Sequence, residues 1–209
     1  MQIISHRGYW QQTVEKNQVI AFERSFSLGF GTETDLRDRH GQIVISHDMA
    51  DDSSMLLDEL FSIFNRYDKA LPLALNIKAD GLQQKLKAAL QQFGIKNYFV
   101  FDMSVPDTIG YMDAGIHFFS RQSEYEPQPA FYSQCKGIWL DSFKDIWYTN
   151  DLIRDHLDRG KQVAVVSPEL HKRNHLSLWR QLKEDKLYQS DNLILCTDIP
   201  EQAAGFFKD

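Results

Sequence analysis

The 209-residue sequence predicts an α/β fold, a (β/α)8 TIM barrel occupying residues 1–209 as a single domain. Three observations carry this reading. Short β-rich runs alternate with helical stretches from one end of the chain to the other, the pattern of parallel strands joined by crossover helices. No Gly/Ser linker or low-complexity segment breaks the alternation, so nothing marks a domain boundary. One-eighth of the chain is about 26 residues, and a five-residue strand, an eleven-residue helix and two short loops need roughly 22 to 24. Closure of eight such units leaves no sheet edge.

In chain order, a strand is predicted at Gln2–His6 and a helix at Gln18–Leu28, followed by a strand at Gly31–Leu36. A short β-ribbon through Arg39–Gln42 leads to Ile45, and a helix follows at Ser54–Arg66. Strands at Leu71–Lys78, Tyr98–Phe101, His117–Ser120, Gly137–Asp141, Gln162–Val166 and Leu193–Thr197 complete the set of eight. Several carry β-branched or aromatic residues, as pleated, half-buried surfaces favour. The intervening helices are read at Leu82–Phe93, Pro106–Ala114, Asn150–Arg159, His175–Lys186 and Pro200–Phe207, whereas Gln122–Gln134 reads as poorly helical. An open doubly wound sheet competes with the barrel, but no strand is followed by G-x-G-x-x-G or G-x-x-x-x-G-K-[ST], which weakens its nucleotide-binding versions.

Composition narrows the functional classes. At 43% hydrophobic and 25% charged residues the chain is ordinary globular protein, far from disordered or collagen-like composition. A net charge of -6 gives no basic footprint for nucleic acid or an anionic membrane. Cys135 and Cys196 have no C-x-x-C context and are expected to be buried thiols. The N-terminal residues lack a secretory signal pattern and no segment approaches 18 apolar residues, so a cytoplasmic location is expected.

In a barrel the chemistry sits at the C-terminal ends of the strands. Strand one ends in Ser5-His6-Arg7-Gly8, strand two carries Glu33-Thr34-Asp35, the ribbon ends in Ser46-His47-Asp48, and strand three contains Asn76-Ile77-Lys78. Glu33 and Asp35, two apart, share a strand face, and with Asn76 they can offer oxygen ligands to a hard divalent cation; the plainer reading is a pair of solvated acids. Lys78, on the face of Asn76, can meet a phosphate as a point charge or pair with Glu33 or Asp35. His6 and His47 suit general acid/base work near neutral pH, and Arg7 suits a bidentate oxyanion. Phosphodiester chemistry would use every member of this group. Arg121, Asp141 and Glu169, after strands five, six and seven, are expected to shape a substrate pocket. Tyr9 and Trp10 either stack on a head group or pack the rim, and Arg37 either pairs with Asp35 or reaches an anion. His171 and His175 lack the Glu of H-E-x-x-H and read as a solvated helix start. Asp48, Asp51 and Asp52 lack the frame of a calcium loop.

Together these residues resemble the glycerophosphodiester phosphodiesterase family, within the superfamily of phosphatidylinositol-specific phospholipase C-like phosphodiesterases. His6-Arg7-Gly8 resembles its H-R-G, Asn17 with Ala21-Phe22 its N-x-x-x-A-F, Glu33-Thr34-Asp35 and His47-Asp48 its E-x-D and H-D, and Thr197-Asp198-Ile199-Pro200 its T-D-x-P. The resemblance implies His6 and His47 as the acid/base pair, Arg7 as a phosphate ligand, Mg2+ or Ca2+ on Glu33 and Asp35, and a role in lipid metabolism. Three departures stand out. The third carboxylate of the family's strand-three E-x-K falls on Asn76, which brings no charge, so the ion would be held more weakly or would lean on Asp102, Asp141 or the substrate phosphate. Lys16 stands where the family has Glu, with Glu15 one residue away. Only about 24 residues separate His47 from strand three, too few for the roughly fifty-residue insertion that closes over glycerol, which marks a compact, divergent branch. The expected activity is therefore metal-assisted hydrolysis of a small-molecule phosphodiester through a cyclic phosphate. A lyase stopping at that cyclic product, or a weak or inactive barrel binding a phosphorylated ligand, are the alternatives.

Overall fold

Ten strands and seven α-helices alternate along residues 1–208, which the computed structural model describes. The chain divides into two compact units, residues 5–118 and residues 1–4 with the chain from Phe119 on. The boundary falls inside β1 (Gln2–His6).

The first unit continues through α1 (Val19–Ser27), β2 (Gly31–Arg39), β3 (Gln42–Ile45), β4 (Met55–Leu56), α2 (Leu57–Phe64), β5 (Leu73–Ile77), α3 (Gln83–Phe93), β6 (Tyr98–Phe101) and α4 (Val105–Ala114). β2 pairs with β5 in parallel, β5 likewise with β6, and β3 folds back on β2 antiparallel. The register sets Asp35 opposite Asn76. β2 reads Gly-Thr-Glu-Thr-Asp, yet Gly31 to Leu36 are all buried. Burying so many polar groups is tolerable only where each is bonded. Thr32 Oγ1 accordingly accepts from the Gly8 amide and the Ser5 hydroxyl, both at 3.0 Å, and Ser5 shares a 2.8 Å bond with Ser25 of α1. Apolar side chains close the other side. Phe22 and Phe26 of α1 are buried, and Phe26 meets Phe64 of α2 edge-on at 5.2 Å. Gly8 lets the turn after β1 lie on α1: its φ is +79°, and a Cβ there would sit 2.7 Å from that of Ala21.

The second unit contains β7 (Phe119–Gln122), β8 (Gly137–Leu140), α5 (Asn150–Asp158), β9 (Gln162–Val166), α6 (Leu176–Glu184), β10 (Leu193–Thr197) and α7 (Pro200–Phe206). Its strands run parallel in the order β10-β9-β8-β7. Trp179 of α6 is buried against Phe206 and Phe207, and its indole N–H donates to Ser167 at 2.9 Å. Cys135 and Cys196 are buried free thiols, as expected.

All eight predicted strands and seven predicted helices are present; β1, β6, β9 and β10 have the predicted bounds and other ends shift. β2 runs on to Arg39 because β3 pairs with its extension. The fifth predicted strand, His117–Ser120, is displaced to Phe119–Gln122, where β8 offers its register; Phe118 makes only a bridge to Val100. The helix expected from Ser54 begins at Leu57, since Met55 and Leu56 pair with β3. Between His47 and β5 lie only β4, α2 and loops, with no inserted subdomain. Among the described residues no helix is long and apolar enough to cross a membrane.

Candidate active site

The strand ends of the first unit converge on Asp35. Its Oδ2 accepts from Asn17 Nδ2 at 2.9 Å and lies 3.2 Å from Arg7 Nε, while Oδ1 lies 3.6 Å from Lys78 Nζ. Lys78 also stands 4.0 Å from Asp102, just past β6. Three chain segments thus deliver one carboxylate's partners. Asn17 is fixed in turn by accepting from Thr34 Oγ1 at 2.9 Å and by donating its backbone N–H to the Arg7 carbonyl. Arg7, Asn17 and Asp102 all have positive φ, 60°, 59° and 66°.

Glu33, two residues before Asp35, is equally buried. Its Oε2 accepts from the Arg7 backbone N–H at 3.2 Å, and the Asn76 amide also bonds to it. Burial foremost, then the charge of Asp35, pushes its carboxyl up to about 8 against the pull of Arg7, Lys78 and Asn76. For an acid raised on folding, the associated stability is complete below the ordinary pKa and disappears as pH rises through the folded one. The protein should therefore weaken between about pH 5 and 8, with a slope of at most about 1.4 kcal/mol per pH unit from this one proton. Glu33→Gln, which mimics the protonated acid, should flatten that slope in urea unfolding across the range. Buried His156, lowered chiefly by desolvation, acts oppositely and loses stability only as pH falls through its ordinary 6.5.

His47 lies on the loop after β3. The loop is tied down by Ser46 N–H to the Asp35 carbonyl at 3.0 Å and by the Arg37 guanidinium to the His47 carbonyl at 3.1 Å. Its Nδ1 lies 2.9 Å from Asp48 Oδ1. Asp48 is held below the usual carboxylate range by that bond first, with Arg7 and Arg37 adding. An ionised carboxylate only accepts, so Nδ1 is the donor and Nε2 carries the ring's lone pair. His6, on β1, adjoins Arg7.

Glu33, Asp35 and Asn76 do come together, but their donor atoms do not fit a hard divalent cation. Such ions need six or more oxygens. Asp35 Oδ2 accepts from Asn17 and lies against Arg7, and Glu33 accepts from Arg7 and Asn76, so of these three side chains Asp35 Oδ1, with Lys78 3.6 Å away, and Asn76 Oδ1 are the buried oxygens without a hydrogen bond, well short of six. No group of three His, Cys, Asp or Glu among the described residues is disposed to hold a metal ion.

The remaining expected residues belong to the second unit, each in a local network. Arg121 pairs with Glu126. Asp141 accepts from the Ser142 N–H and pairs with His171 Nε2, both at 2.7 Å. Glu169 accepts from Ser167, Thr197 and the Asp198 N–H. His171 is therefore no solvated helix start; it joins a carboxylate thirty positions away and packs on Phe143 at 5.1 Å. His175 lies against Trp179 at 4.2 Å. Glu15 pairs with Arg24, while Lys16 covers the ring of Trp10 at 4.3 Å. Arg37 donates to the His47 carbonyl. No local pattern announces that role; Asn17, by contrast, is signalled by its place just before the first helix.

No family model matches the chain, nor does any curated protein. Solved structures match throughout. A glycerophosphodiester phosphodiesterase from Agrobacterium tumefaciens str. C58 superposes with a TM-score of 0.69 at 14% identity, over 98% of this chain and 99% of that one. A phosphodiesterase from Oleispira antarctica, in complex with the product sn-glycerol-3-phosphate, does so with 0.67 at 17% identity, over 100% and 97%. A glycerophosphoryl diester phosphodiesterase from Parabacteroides distasonis ATCC 8503 gives 0.69 at 14% identity, over 98% and 85%. The α/β fold of the chain is thus the fold of these structures.

Proposed function

We propose that the chain is a phosphodiesterase, a phosphoric diester hydrolase acting on a glycerophosphodiester-like small molecule through His6 and His47. The observation that best supports this reading is the gathering of Arg7, Glu33, Asn76 and Lys78 from three strand ends around the buried carboxylate of Asp35. This occurs in a fold shared with three phosphodiesterases, one holding a phosphate monoester.

In the chemistry proposed, one histidine takes the proton of the substrate hydroxyl adjacent to the esterified carbon, and that oxygen attacks phosphorus. The other histidine gives a proton to the departing alkoxide, so a cyclic phosphate and an alcohol result. Water then opens the ring with the two roles exchanged. Arg7 and Lys78 hold the non-bridging oxygens as charge gathers on them, in an orientation fixed by Asp35.

The test is turnover of glycerophosphodiesters and bis-p-nitrophenyl phosphate, followed by phosphorus NMR. Release of alcohol through a transient cyclic phosphate is expected. Accumulation of the cyclic species would make the enzyme a lyase, and absence of turnover on every diester would overturn the reading in favour of a binding protein.

A further inference from the structure

Two cationic side chains occupy the positions from which a divalent ion would have to be bound. Lys78 Nζ lies between Asp35 at 3.6 Å and Asp102 at 4.0 Å, carboxylates supplied by different strands. Arg7 approaches the other oxygen of Asp35 side-on, through Nε at 3.2 Å. Asn17 takes a further share of that same oxygen. An incoming metal would have to break these contacts and would then sit against two fixed positive charges, a repulsion felt strongly at buried sites. Opposite Asp35 in the register stands Asn76, whose amide adds no charge to compensate.

Both cations nevertheless reach the surface, with about a fifth of each side chain exposed. Arg7 carries four more N–H groups on its two terminal nitrogens, the fork whose spacing matches two phosphate oxygens, and Lys78 adds a point charge beside it. We infer that Lys78 and Arg7, held by Asp35, stand in for the divalent cation, so that phosphate is bound and the diester cleaved without metal. This rests on the phosphodiester chemistry proposed for the same site.

Calorimetric titration of sn-glycerol-3-phosphate and of inorganic phosphate into EDTA-stripped protein tests it, with and without excess Mg2+, Ca2+ or Mn2+. Affinities should agree within about threefold with and without metal, well below the effect of losing a charged hydrogen bond. Lys78→Met should weaken binding about tenfold or more, with substantial recovery in Lys78→Arg. Titration of each metal alone into stripped protein should show no stoichiometric site. Phosphate binding that requires metal, a stoichiometric metal site, or no phosphate binding under either condition would each overturn the inference. Phosphate bound equally in EDTA without turnover of any diester would leave the clamp standing and remove the proposed activity instead. Should Lys78→Met fail to fold, the wild-type comparison with and without EDTA decides alone.

Discussion

His6→Ala and His47→Ala are each expected to lower kcat/KM for diester cleavage by about 10²- to 10⁴-fold, the usual worth of a positioned acid or base. The two losses should not add in the double variant, because each histidine needs the other to complete a turnover. The wild-type rate should be bell-shaped in pH and each single variant should lose one limb. Folding should barely change for His47→Ala. The imidazole sits half-exposed on a loop with its Nδ1 bonded to the exposed Asp48, so the stability obtained from thermal melting should change by no more than about 0.5 kcal/mol. Unchanged hydrolysis in both variants would remove these histidines from the chemistry.

Asp35→Ala is expected to act on the fold itself. Asp35 is fully buried and answers three donors, Arg7, Lys78 and Asn17. Its removal leaves two cations facing each other over an empty pocket, and breaking a buried ion pair by deleting one partner costs about 3–5 kcal/mol. Urea unfolding should show that loss as a lower midpoint at constant slope. Asp35→Asn keeps the volume but not the charge and should fall between. A loss under about 1 kcal/mol in Asp35→Ala would mean that neither cation depends on this carboxylate.

The alternation of short strands and helices was readable because each element carries its own period, and the site was readable where its residues are neighbours in sequence. Glu33 and Asp35 share a strand face, and His6-Arg7-Gly8 ends a strand, so their convergence follows from local geometry plus parallel register. What escaped depends on partners far along the chain. Asp141 meets His171 across thirty residues, and no spacing near either announces it. The Arg37 grip on His47 depends on how β3 folds back on β2. β4, at two residues, is too short to show any period. Glu33, Asp35 and Asn76 do lie together, but sequence spacing cannot show that Arg7, Asn17 and Lys78 stand against the same carboxylate.

Arg7, Asn17 and Asp102 share the left-handed backbone conformation, which side-chain-bearing residues adopt at a cost of roughly 1 kcal/mol and glycine adopts freely. At each of these places the chain keeps a guanidinium, an amide or a carboxylate instead. At Arg7 and Asn17 glycine would relieve that strain and forfeit a buried contact with Asp35 worth more, about 1.5–5 kcal/mol. A library selected for melting temperature would therefore keep these two strained residues, and the positive φ marks where side-chain pairing outweighs backbone comfort.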